Sequence, residues 1–174
     1  MFELNYCPQC GQKLTKKELP LDGLIPYCEQ CGDFRFPVFS VAVSMIVMNE
    51  GGDQVLLIKQ YGKDSYILVA GYVNKGENTE DSCRRELMEE LHLTAKSLHF
   101  NRSQYFAPCQ YFAPSNTLML NYTVTVDQAE KVSPNEEIDA WNWLSIDEAR
   151  RQIRPNSLAR TFLLEYLNKC KLHR

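Results

Sequence analysis

The run from Gly71 to Leu93, GYVNKGENTEDSCRRELMEELHL, constrains this chain more than any other stretch of it. It gathers Glu77, Glu86, Glu89 and Glu90 around Arg85 within one loop and one helix-length segment. Positions i, i+3 and i+4 share a helix face, so Glu86, Glu89 and Glu90 project their carboxylates together. Cys83, Leu87 and Leu91, spaced by four, form an apolar stripe on a different face. Asn78 or Thr79 is placed to cap the helix start, where Glu80 and Asp81 suit the positive end of the dipole. Crowded carboxylates repel one another, and a hard divalent cation such as Mg²⁺, which prefers oxygen ligands, relieves that repulsion. A solvated acidic face meets the same pattern, and the helix alone does not choose between the two.

The full spacing does choose. Gly71, five residues, Glu77, seven residues and then Arg85-Glu86-Leu87-x-Glu89-Glu90-x-x-Leu93 resembles the Nudix box, the signature of hydrolases that cleave a nucleoside diphosphate linked to another moiety. The resemblance implies an α/β fold, an α/β/α sandwich with a mixed sheet, and catalysis with Mg²⁺ or Mn²⁺. The chain departs from the box at two places. His92 stands where Gly is usual, a position suited to left-handed backbone at the helix C-terminus. Asn74 stands where a Glu is usual, three residues after the Gly.

Seven cysteines raise the question of a disulfide scaffold, but their arrangement argues for a metal site. Cys7-Pro-Gln-Cys10-Gly and Cys28-Glu-Gln-Cys31-Gly are two knuckles, each able to present two thiolates, with Gly11 and Gly32 permitting the tight turn. Together they complete a tetrahedral Cys₄ site for structural Zn²⁺, a closed shell with no open position for chemistry. Residues 1–36 are therefore read as a small zinc ribbon and 37–174 as the Nudix hydrolase domain. Cys83, Cys109 and Cys170 lack knuckle partners and read as buried or incidental thiols, which fits a reducing compartment. A formal charge of −3, with basic residues scattered apart from Lys16-Lys17 and Arg150-Arg151, gives no basic footprint for nucleic acid. No signal peptide and no apolar run of roughly 20 residues is evident, so a cytoplasmic protein without a membrane partner is expected.

Apolar patterning places strands at Val38–Met48, Gln54–Gln60, Tyr66–Val69, Ser97–Tyr105, Thr117–Val126 and Ile138–Leu144. Helices are expected near 79–91, at Ser145–Ile153 and at Ser157–Lys171.

A zinc ribbon directly before a Nudix domain is similar to the NADH pyrophosphatase branch, and Ala70-Gly71-Tyr72-Val73 resembles that branch's Ala-Gly-Phe-Val. Ser103-Gln104-Tyr105-Phe106-Ala107-Pro108 matches part of its downstream Ser-Gln-Pro-Trp motif, and Gln110-Tyr-Phe112-Ala-Pro114 repeats the sequence. Tyr72, Gln104, Phe106, Gln110 and Phe112 offer stacking and amide groups for a base or nicotinamide. The resemblance implies that Glu86, Glu89 and Glu90 hold the metal, that Arg85 and Glu77 fix the loop on the helix, and that a loop carboxylate assists. Glu136 is the candidate for that last role and the adjacent Glu137 its competitor. The implied substrate is a dinucleotide such as NADH or NAD⁺, with an NAD-capped RNA end also possible. ADP-ribose, FAD or another nucleoside diphosphate derivative is the alternative, as is a non-catalytic nucleotide-binding regulator. A homodimer is implied by the same similarity.

Overall fold

A computed structural model describes residues 4–107 and 116–172, with side chains through Lys169. It forms two compact units, Met1–Ser40 with Tyr105–Thr117, and Val41–Gln104 with Leu118–Arg174. In the first, β1 (Thr15–Leu19), β2 (Gly23–Cys28) and β3 (Asp33–Phe34) make an antiparallel sheet in that order. Each knuckle closes through a backbone bond, Gly11 N–H to the Cys7 carbonyl and Gly32 N–H to the Cys28 carbonyl, both 2.9 Å. Both glycines have positive φ, 75° and 68°, which a residue with a Cβ adopts only with strain.

The main sheet has the order β7-β8-β4-β5-β9, with β6 also paired to β4. Its strands are β4 (Ser40–Met48), β5 (Gln54–Gln60), β6 (Val69–Tyr72), β7 (Ala95–Phe106), β8 (Thr117–Val126) and β9 (Ile138–Ser145). β5 and β6 both run antiparallel to β4, and β9 antiparallel to β5. Between β4 and β8 the residue numbers rise together: Ser40 N–H bonds the Asn116 carbonyl, and the Asn121 side-chain amide bonds the Ser44 carbonyl. The sheet is therefore mixed. Helices α1 (Thr79–Leu91), α2 (Ile146–Gln152) and α3 (Leu158–Leu172) flank it.

β4 is buried on both faces because helices lie on both sides. Val43, Met45 and Val47 join Cys83, Leu87 and Leu91 of α1 in one core cluster, so the apolar stripe of α1 is its inner face. The alternate residues, such as Met48, face α3, whose Tyr166 hydroxyl meets the Met48 sulfur at 3.5 Å. β8 is likewise central, and its polar Asn121 is buried but bonded to Asn101 and Ser44.

Two local expectations change. Tyr66 and Ile67 make only isolated bridges, to Ile153 and Ile58, and the strand proper begins at Val69, where pairing with β4 starts. Asn78 does stand at the N-cap of α1, but its side chain donates to Asp81 instead of accepting from the first turn. No described helix is long and apolar enough to cross a membrane.

Leu87 is fully buried in the core cluster whereas Met88 beside it is exposed. Leu87→Ala is expected to lower the unfolding free energy by about 2–5 kcal/mol. Met88→Ala should change it by less than about 0.5 kcal/mol. Urea titration of the two variants measures the difference.

Candidate functional site

Arg85 is the hub of the loop–helix segment. Its Nε and Nη2 grip the two oxygens of Glu77 at 2.8 and 3.1 Å, a bidentate pair. Nη1 donates to Glu86 at 2.8 Å and Glu89 at 2.9 Å, and Nη2 reaches the Tyr72 carbonyl at 3.0 Å. Glu77 also accepts from the Asn74 N–H and the Ser82 hydroxyl, and Arg85 foremost holds its carboxyl down at about 2. Asn74, which replaces the usual Glu, thus contributes through its backbone.

Gly71 makes room for this arrangement. A Cβ there would lie 2.0 Å from the Glu86 carboxyl, far inside contact distance. The Gly71 backbone and the Glu86 carboxylate are packed directly against each other, which only a glycine allows.

The three helical glutamates differ in environment. Glu89 is exposed, Glu86 half-buried, and Glu90 only 5% exposed. Gln60 at the end of β5 donates its amide to Glu90 Oε1 at 2.9 Å, but the buried Oε2 has no partner. Burial pushes Glu90 up to about 7, outweighing the Gln60 bond, and the charges of Glu86, Glu137 and Glu89 add to the rise. Glu86 is also raised, by desolvation first. An oxygen donor held without a partner in a desolvated acidic pocket fits a hard divalent cation. Among the described residues the three carboxylates do not gather within 4.8 Å of one another, and Arg85 Nη1 bridges Glu86 and Glu89.

The C-terminus of α1 ties a second loop to the site. His92 takes left-handed backbone, φ 54° and ψ 33°, the role foreseen for the usual glycine. Its ring Nδ1 lies 2.7 Å from the Ser133 carbonyl. The Ser133 and Asn135 N–H groups then bond the free carbonyls of Leu91 and Glu90 at 3.0 and 2.9 Å. This docks the turn that bears Glu136 and Glu137. Glu137 accepts from the Tyr61 hydroxyl at 2.8 Å. Glu136 is exposed and shares no hydrogen bond or ion pair with the described residues of this group.

Among the stacking candidates, Tyr72 has an exposed side chain, while Gln104 and Phe106 are half-buried on β7. Gln110 and Phe112 lie outside the described residues, as do the Cys109 position and the Cys170 side chain. Sequence pattern gave no sign of Gln60, Tyr61 or Ser82, each of which holds an acidic side chain here.

In the ribbon the Sγ atoms of Cys7, Cys10, Cys28 and Cys31 all lie within 4.8 Å of one another. A converging set of four sulfurs fits a thiophilic ion such as Zn²⁺. Burial works to raise the Cys7 thiol, but the Arg35 Nε–H bond at 3.2 Å and backbone N–H groups bring it down to about 6. Cys31 is pushed up to about 12 by its neighbouring thiols and burial.

The NUDIX domain family matches residues 38–164. The NAD-capped RNA hydrolase NudC of Pseudomonas fluorescens is 29% identical over 95% of this chain and 56% of its own length. That of Haemophilus influenzae is 28% identical over 95% of this chain and 61% of its own. The chain thus spans little more than half the length of these curated relatives. A NUDIX hydrolase from Nitrosomonas europaea shares the fold at TM-score 0.60 and 21% identity, over 76% of this chain and 90% of that one. The E. coli dihydroneopterin triphosphate pyrophosphohydrolase does so at TM-score 0.60 and 18% identity, over 76% and 99%.

The raised Glu90 carboxyl predicts a pH-dependent stability. Without metal, the folded chain holds its proton up to about pH 7 while an unfolded Glu releases it near 4.5. Stability from this group is full below pH 4.5, declines between 4.5 and 7, and is gone above. The decline amounts to about 3 kcal/mol at each pKa unit's ~1.4 kcal/mol. Glu90→Gln is expected to remove it, leaving the metal-free variant more stable than the parent at pH 8 by denaturant titration.

Proposed function

The chain belongs to the Nudix family, and we propose that within it the protein is a metal-dependent pyrophosphohydrolase acting on a dinucleotide or nucleoside diphosphate derivative. The observation that carries the reading is the buried, unpartnered Oε2 of Glu90 beside Glu86 and Glu89. Glu86, Glu89 and Glu90 would hold Mg²⁺ or Mn²⁺, which when bound would neutralise charge at the diphosphate and lower the pKa of a water. Arg85 and Glu77 orient the Gly71 loop against α1, so that Glu86 keeps its place. The Pro134–Glu137 turn, docked on the helix end, supplies a further carboxylate from Glu136 or Glu137. In the reaction a water oxygen bonds one phosphorus, the bridging P–O bond breaks, and each product leaves with one phosphate.

NAD(H) or an NAD-capped RNA end is the substrate class favoured by the named relatives, whose similarity runs through the ribbon as well as the hydrolase domain. With NADH the products are reduced nicotinamide mononucleotide and AMP. The exposure of Tyr72 on the strand that carries Gly71 supports it as a residue that stacks on a base, with Gln104 and Phe106 as further candidates. The ribbon holds structural Zn²⁺ through Cys7, Cys10, Cys28 and Cys31.

Incubation with Mn²⁺ and a panel of NADH, NAD⁺, ADP-ribose, FAD, nucleoside triphosphates and NAD-capped RNA, followed by chromatography, tests the reading. Cleavage of the NAD-containing members at the diphosphate is expected. Exclusive cleavage of the others overturns the substrate class, and tight binding without turnover overturns the enzyme reading. Gly71→Ala is expected to keep the circular dichroism of the parent but displace Glu86, lowering turnover of the best panel member at least about 100-fold, the scale of losing one charge-positioning group.

A further inference from the structure

The end of β5 makes three consecutive contacts with acidic side chains. Gln60 Nε2 donates to Glu90 Oε1 at 2.9 Å, the Tyr61 hydroxyl to Glu137 Oε2 at 2.8 Å, and the Gly62 N–H to Asp139 Oδ2 at 2.7 Å. The segment is a tight turn closed by the Lys63 N–H on the Gln60 carbonyl at 3.2 Å. Both central residues are left-handed, Tyr61 at φ 56° and Gly62 at φ 67°. Such a turn favours Asn-Gly, and a bulky aromatic at its first central position is strained. The ladder to β9 shifts register at Lys59/Gln60, just before the turn, which re-aims these side chains.

A strained residue is kept where its side chain does something a relaxed one would not. Tyr61 is 66% exposed, so packing does not explain it. Its hydroxyl bond to Glu137 does. Glu137 is fixed from its other end as well, because its N–H bonds the Asn135 side-chain oxygen at 3.0 Å, and Asn135 in turn is tied to the α1 terminus. One turn thus grips Glu90 through Gln60 and Glu137 through Tyr61.

We propose that Tyr61 is a positioning residue for the divalent ion: it orients Glu137, rather than Glu136, as the loop carboxylate that joins Glu90 at the metal. This presupposes the divalent-ion reading of the site. By accepting the phenolic hydrogen on Oε2, Glu137 keeps Oε1 available to a cation. Tyr61 does not touch the reacting atoms itself.

Mn²⁺ alone is the probe, titrated into the zinc-loaded full chain with free Mn²⁺ read from its paramagnetic resonance signal. Tyr61→Phe is expected to weaken Mn²⁺ binding about 3- to 10-fold, the scale of one ordinary solvent-accessible hydrogen bond. Glu137→Gln should weaken it at least as much, and the double variant no further, since the two act as one unit. Tyr61→Asn relaxes the turn, so its metal-free stability should equal or exceed the parent's while Mn²⁺ binding still falls. A merely structural tyrosine would move both in the same direction.

Equal or tighter Mn²⁺ binding by Tyr61→Phe overturns the proposal, and so does a loss confined to Glu136→Gln. If the unaltered chain binds no Mn²⁺, the metal reading and this proposal fall together. If it binds and Tyr61→Phe binds alike, only the proposal does.

Discussion

One guanidinium organises the acidic segment. Arg85 directs Nε, Nη1 and Nη2 at Glu77, Glu86, Glu89 and the Tyr72 carbonyl, so loop, strand end and helix are joined through a single planar group. The fork geometry explains why arginine serves here: a lysine could match the charge but not the simultaneous bidentate grip on Glu77. It also leaves the site electrically unfinished. Arg85 is one positive charge among Glu77, Glu86, Glu89 and Glu90, and Glu90 lies beyond its reach with one oxygen unpartnered. The raised Glu90 carboxyl follows from that imbalance, because burial first and then the neighbouring carboxylates favour its neutral form.

The same helix sets the position of the loop behind it. A helix end leaves carbonyls without intrahelical partners, and here the Leu91 and Glu90 carbonyls are satisfied by Ser133 and Asn135. His92 makes the left-handed exit that a glycine would make without strain, and its ring contact with the Ser133 carbonyl helps fasten the same loop. The departure from the usual box thus exchanges backbone ease for a side-chain tie. Once that loop is docked, Glu137 faces Tyr61, and the acidic group spans three separate segments of chain.

Much of this was legible in the sequence where the signal is local. The bounds of α1, β5 and β8 follow from periodicity and flanking turn residues, and the inward stripe of Cys83, Leu87 and Leu91 from four-residue spacing. β6 was not legible in the same way. Tyr66 to Val69 reads as a strand by composition, but the ladder with β4 runs from Val69 to Tyr72, and only the partner decides that. Gln60 and Tyr61 were invisible for a related reason. Their acidic partners are 30 and 76 residues away along the chain, and neither residue type announces such a role. Asn78 carried the right cap signal, yet its amide found Asp81 closer to hand.

The ribbon and the acidic centre answer the same electrostatic problem with different donors. In each, an arginine has already taken part of the load: Arg35 on the Cys7 sulfur, Arg85 on the glutamates. In each, the partial compensation leaves one member driven toward its neutral form, Cys31 by its neighbouring thiols and Glu90 by burial. Four converging sulfurs suit a soft, tetrahedral ion enclosed by protein. Carboxylates of unequal exposure, from buried Glu90 to solvated Glu89, suit a hard ion that keeps part of its shell for water. That asymmetry of exposure separates the acidic cluster from the ribbon, whose four sulfurs converge within 4.8 Å of one another.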